Sequence, residues 1–111
     1  MADLQALLTR ADAGEAEAQH ALGNAYHLGL SGATAHLPTA MRWYQRAAAQ
    51  GHTGAQINLG VIFIQDIVKA GGTRNPQQAQ HWFTRAADQG DAQGMCFLGR
   101  LASARRQSGH A

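Results

Sequence analysis

Cysteine, lysine, aromatic and charged residues are all scarce in this sequence, and each scarcity removes a class of protein. Cys96 is the sole cysteine, so neither an intramolecular disulfide nor a cysteine-based zinc site can form. Charged residues make up 14% of the chain, against about 25% in an average globular domain. Lys69 is the only lysine, and Arg10, Arg42, Arg46, Arg74, Arg85 and Arg100 are dispersed, with only Arg105 and Arg106 adjacent. Electrostatic binding of nucleic acid needs clustered cations, so a net charge of +2 spread in this way argues against that partner. The longest apolar stretch, Val61 to Ile64, falls far short of the roughly 20 residues that span a bilayer, so no membrane is expected. The start, Met1-Ala2-Asp3-Leu4-Gln5, lacks the basic segment and apolar run of an export signal. The cytoplasm is therefore the expected location, although a processed export product would begin no differently. Only 6% of residues are aromatic within a hydrophobic total of 45%, much of it alanine. That balance suits closely packed helices, and 111 residues fit one domain.

What is present is an internal repeat. Gly14, Ala18, Gln19, Leu22, Gly23 and Tyr26 recur as Gly51, Ala55, Gln56, Leu59, Gly60 and Phe63, a shift of 37 from Gly14 to Gly51. A third copy opens at Gly90, where Gly94, Leu98 and Gly99 match Ala55, Leu59 and Gly60 at a shift of 39. The second half of the unit repeats as well, since Ala40-Met41-Arg42-Trp43-Tyr44-Gln45-Arg46-Ala47-Ala48-Ala49-Gln50-Gly51 aligns with Ala79-Gln80-His81-Trp82-Phe83-Thr84-Arg85-Ala86-Ala87-Asp88-Gln89-Gly90. Self-similarity at this period is the signature of a stacked array.

Each half has the period of a helix. Ala18, Leu22, Ala25 and Tyr26 form one apolar stripe, and Ala40, Trp43, Tyr44, Ala47 and Ala48 another. Gly51 and Gly90 are placed to end the second helices in the left-handed conformation. Asn75-Pro76-Gln77-Gln78 reads as a helix start, and Glu15, Glu17 and Asp91 put negative charge at the starts of first helices. Gly23, Gly60 and Gly99 lie inside helices in phase. A mid-helix glycine costs about 1 kcal/mol relative to alanine, so its return at one register predicts a neighbour approaching closely. The expected architecture is all-α: a short right-handed α/α superhelix of antiparallel helix pairs, with six helices near 3–13, 15–29, 37–50, 52–68, 76–89 and 91–106. As one domain, 1–111, it divides into a half-repeat 1–14, repeats 14–50 and 51–89, a partial repeat 90–106 and a frayed tail 107–111.

The pattern Ala18-Gln19-x-x-Leu22-Gly23-x-x-Tyr26-x-x-Gly29, followed by Ala40-x-x-Trp43-Tyr44-x-x-Ala47-Ala48-x-x-Gly51, resembles the Sel1-like repeat, a relative of the tetratricopeptide repeat. The likeness runs over nearly the whole chain. Asp66 stands where Gly29 would recur, Ala102 stands where Tyr26 and Phe63 do, and no second helix follows the third copy. The resemblance implies a protein–protein interaction module: an adaptor or scaffold or, in bacteria, an immunity protein or inhibitor that blocks a toxin or effector. Relatives with a disulfide in each repeat have been linked to β-lactam binding, and one cysteine excludes that arrangement here.

No chemistry-bearing constellation stands out. His20, Asn24 and His27 share a helix face, which suits either a metal or hydrogen-bonding patch or a solvated polar stripe. The stripe is favoured, because helical metal pairs use i, i+3 or i+4 spacing with acidic or thiolate company. Cys96, aligned with Ile57, reads as a small buried residue. Gly71-Gly72 lacks the Lys-Ser of a phosphate loop. An enzyme or metal-binding protein is thus the remote alternative, with no catalytic residue, cofactor or metal assigned. The informative positions are those where the copies differ on the first helices: His20, Asn24 and His27, then Ile57, Val61 and Ile64, then Cys96, Arg100 and Ser103. In related solenoids this face lines the concave groove, so His20, Asn24, His27, Ile57, Val61, Ile64 and Arg100 are the candidate contacts to a partner protein. Ile57, Val61 and Ile64 are open to a second reading, as the core of the most apolar helix. An uncapped terminal repeat also leaves a face through which two copies can pair into a homodimer.

Overall fold

The computed structural model describes residues 4–64 and 75–108, with side chains as far as residue 103. Six helices follow one another: α1 Leu4–Asp12, α2 Ala16–Leu28, α3 Leu37–Ala49, α4 Thr53–Ile64, α5 Pro76–Asp88 and α6 Ala92–Ser108. No strand occurs among the described residues. The expected helix over 52–68 is seen from Thr53 to Ile64, its remainder lying outside the described residues together with Asp66 and the connector Lys69 to Arg74. No helix among those described is long and apolar enough to cross a membrane. Each helix packs on the next, and α2 also meets α4. The resulting slab measures 50 × 32 × 18 Å, and its thickness fits two helix layers of roughly 10 Å each.

The turns explain the antiparallel path. Gly14, Gly51 and Gly90 adopt φ of 98°, 93° and 86°, a conformation that a Cβ would strain. At each, the glycine N–H and the following N–H bond back to the last turn. Gly51 donates to Ala48 O at 2.9 Å and His52 to Ala47 O at 3.2 Å, a pattern repeated by Gly90 with Ala87 and Asp91 with Ala86. Asn75 caps α5, accepting from the Gln78 amide at 3.2 Å. His36, His52 and Asp91 do the same for α3, α4 and α6.

Two repeating devices lock the helices together, one within each pair and one between pairs. The first is a ring seated on a glycine. A methyl group added at Gly23 would overlap the Tyr44 ring, and one added at Gly60 would overlap the Phe83 ring. Both rings are fully buried, so Gly23 and Gly60 mark close approach of the second helix of their pairs, whereas Gly99 meets no described atom within 4 Å. The second is a ladder of glutamines. Buried Gln19 donates to Ala11 O at 3.1 Å and accepts from Gln50 at 2.8 Å, while buried Gln56 donates to Ala48 O at 3.0 Å and accepts from Gln89 at 3.2 Å. Each glutamine ties the helix before it to the helix after it. Trp43 packs against the cluster of Leu7, Ala11, Ala18 and Leu22, and Trp82 against the corresponding cluster that holds Leu59 and Ile62. Arg46 and Arg85 lie over these indoles, 4.7 and 5.2 Å from the ring centroids. The arginine is repeated together with the tryptophan it covers.

Candidate functional site

Helix α2 meets α4 although the two are not neighbours in sequence, and Leu101 of α6 joins the cluster around Ile57 of α4. The candidate residues lie on the first helices α2, α4 and α6, in three chemically distinct zones. On α2, His20, Asn24 and His27 are half-buried. Tyr44 donates its hydroxyl to Asn24 Oδ1 at 2.7 Å and lies 3.3 Å from His27 Nδ1. With that hydroxyl proton committed to Asn24, His27 Nδ1–H is the donor to the phenol oxygen. Burial pushes the Tyr44 phenol up to about 12. Asn58, from α4, donates to His20 Nε2 at 3.0 Å. The stripe expected to be solvated is a satisfied network that joins α2, α3 and α4.

His20 draws in a partner that sequence spacing did not single out. Its ring lies 4.5 Å from that of His52, and His52 Nε2 is 3.0 Å from Glu17 Oε1. One ligand atom from each of Glu17, His20 and His52 falls within 4.8 Å of the others. Glu17 and His20 are at i, i+3 on α2, a legible signal, but His52 arrives only through the fold. Tautomers decide what this cluster offers. The Ala55 amide donates to His52 Nδ1 at 3.1 Å to cap α4, so the neutral ring carries its proton on Nε2 and gives it to Glu17. His20 Nε2 is likewise engaged as an acceptor. Metal binding would require His52 to release its cap, so the arrangement works as a hydrogen-bonded clasp between the two repeats. Burial, and then the neighbouring His52 charge, hold His20 below its ordinary value of 6.5, with Glu17 opposing.

On α4, Ile57 is buried at 6% exposure in a cluster with Ala79, Phe83, Ala86 and Leu101, and Val61 and Ile64 pack half-buried against that cluster. On α6, Arg100 is exposed and lies 5.7 Å above the Phe97 ring. The structure thus brings the α2 residues together with Tyr44, Asn58 and His52, keeps the α4 residues against α5 and α6, and leaves Arg100 apart. Cys96 corrects the sequence reading. It occupies the register of Ile57, yet it is exposed. Ile57 is covered by α5 and α6, and no later helix among the described residues covers Cys96.

With this geometry in view, comparisons with known proteins place the chain. The family model described as Sel1 repeat matches residues 16–52 and 53–91. Comparison with curated protein sequences gave no match. Among solved structures, c5321, a protective antigen of uropathogenic Escherichia coli strains displaying an SLR fold, superposes with a TM-score of 0.78 at 30% identity. That likeness covers 86% of this chain and 20% of c5321. A Sel1 repeat protein from Oxalobacter formigenes gives a TM-score of 0.77 at 32% identity, covering 87% of this chain and 38% of its own. The chain therefore spans well under half the length of either structure.

Proposed function

Because the chain belongs to the Sel1 repeat family, whose fold generally serves as a protein–protein interaction module, we propose that it holds a partner protein along the inner layer formed by α2, α4 and α6, as an adaptor or scaffold. One observation carries this reading: framework positions repeat while inner positions do not. Gln19 and Gln56, Leu22 and Leu59, Gly23 and Gly60 are alike and are consumed by packing. His20, Asn24 and His27, then Val61 and Ile64, then Arg100 change in character along the same layer. A polar, an apolar and a cationic zone in line suit an extended segment whose chemistry changes in the same order. Ile57 supports the apolar zone from beneath. An exposed lone thiol at Cys96 fits a reducing compartment such as the cytoplasm.

The test compares inner with outer substitutions on a captured partner. Arg100→Glu and Val61→Glu are expected to weaken binding tenfold or more with the helical circular dichroism spectrum unchanged. Gln45→Glu, at an exposed position of α3, is expected to leave affinity unaltered. Equal loss from inner and outer variants, or from neither, contradicts the reading.

A further inference from the structure

The joint between the first and second repeats carries side chains that its counterpart one repeat later lacks. At the first joint α2 supplies Glu17 and His20, and His52 stands just before α4. At the second joint the same registers hold Gly54, Ile57 and Asp91. Helix capping does not account for the difference. Asp91 caps α6 through the Gly94 amide at 3.1 Å, as His52 caps α4 through the Ala55 amide, so the cap needs only an acceptor, and aspartate is among the best. What histidine adds is a second ring nitrogen, and His52 Nε2 lies 3.0 Å from Glu17 Oε1. Gly54 is an independent sign. It lies in the first turn of α4 without a positive φ, so its conformation does not call for glycine. A Cβ there would stand 3.0 Å from the His52 ring and 3.4 Å from His20 Nε2. The missing side chain leaves room for the two imidazoles to face each other, their ring centroids 4.5 Å apart.

We propose that Glu17, His20 and His52 form a binding site for zinc or a similar borderline divalent metal ion, which straps the first repeat to the second. Two imidazoles and one carboxylate are donors that such ions favour, whereas magnesium and calcium take oxygen sets. One ligand atom from each of the three residues lies within 4.8 Å of the others. Donors around a zinc ion at about 2.1 Å stand roughly 3.4 Å apart, and the Glu17 side chain, 81% exposed, has the freedom to close the remainder. On binding, the hydrogen-bonded clasp exchanges one set of bonds for another. The proton on His52 Nε2 moves to Nδ1, Nε2 takes the metal, and the Ala55 amide loses its cap. Asn58 turns from His20 Nε2 to Asn24 Oδ1, which it approaches at 3.5 Å. No proton is released overall. Loss of the cap weakens the site about fivefold, and the positive end of α4 opposes a cation by a similar factor, which the Glu17 charge offsets. Both costs are small beside three protein ligands, the number that holds zinc in its catalytic sites. The site needs no partner protein, so it and the inner-layer reading fail independently.

The probe is zinc chloride, titrated into the full untagged chain and followed by calorimetry and by the nitrogen-15 shifts of the histidine rings. Saturable one-to-one binding is expected, with shifts at His20 and His52 and none at His36 or His81. Zinc should raise the melting temperature, and magnesium should leave it unchanged. His52→Asn keeps an acceptor for the Ala55 amide while removing the imidazole. It should weaken zinc binding at least tenfold with the helical circular dichroism spectrum unchanged. His20→Gln should weaken it as much, whereas His81→Gln, at an exposed position of α5, should leave it as in the parent. Absence of saturable binding, or affinity unchanged in His52→Asn or His20→Gln, overturns the proposal. So does an equal response to magnesium, or a loss of zinc binding in Cys96→Ser, which would make the exposed thiol the ligand.

Discussion

Gly60 and Gly99 occupy the same register of equivalent helices, and their surroundings are opposite. At Gly60 the Phe83 ring lies against the backbone, while at Gly99 the corresponding space is empty among the described residues. The same holds for Gln56 and Met95, one buried and doubly bonded, the other exposed. A repeat signal in sequence thus records what a helix can accept, and only the fold shows whether anything has arrived. Two of the three equivalent slots are filled, and among the described residues the one at α6 is not.

That contrast can be broken at several points. The largest effect is expected from Phe83→Ala, which empties the buried ring from its glycine seat and should destabilise by about 3–5 kcal/mol in urea unfolding. Gln56→Ala removes one donor and one acceptor from the ladder, leaving Ala48 O and Gln89 without that partner. A loss of about 1–3 kcal/mol is expected, whereas Met95→Ala should stay within about 0.5 kcal/mol. A third comparison uses caps. Asn75→Ala should cost about 1 kcal/mol because the Gln78 amide loses its acceptor. Glu15→Ala should change little, since Glu15 makes no side-chain cap and its pair with Arg10 is exposed.

The smallest effect is one of pH, and it distinguishes the first repeat from the others, where Ile57 and Cys96 replace His20. Folding holds His20 below its ordinary value of 6.5, so just below that pH the unfolded chain binds more protons and stability rises with pH. The contribution is complete above pH 6.5 and is lost as pH falls through the depressed value. Melting temperature should therefore drop on acidification across that range, and His20→Gln should flatten the slope. An unchanged slope would remove His20 from the account.

Much of the fold was legible because its signals are local or periodic. Gly51 and Gly90 end helices where the sequence placed those ends, and Asn75-Pro76 opens α5 as expected. Gly23 and Gly60 announced close approach, although the approaching rings had to be found in the structure, and at Gly99 no described atom approaches. The candidate site was less legible for a physical reason. His20 and His27 look like a polar stripe on one helix. Their partners Tyr44, Asn58 and His52 come from other helices, and His52 gains its role by capping α4 while facing Glu17. Cys96 was misread because alignment with Ile57 carries over the residue type but not the covering helix.

The most direct test of the account is to replace Gly23, Gly60 and Gly99 by alanine, one at a time, and measure unfolding free energies in urea. Gly23→Ala and Gly60→Ala should destabilise by about 1–3 kcal/mol, since the added methyl overlaps a buried ring. Gly99→Ala should instead stabilise by about 1 kcal/mol, the ordinary gain of alanine in an open helix. Three changes of the same sign would contradict the picture of two filled slots and one vacant.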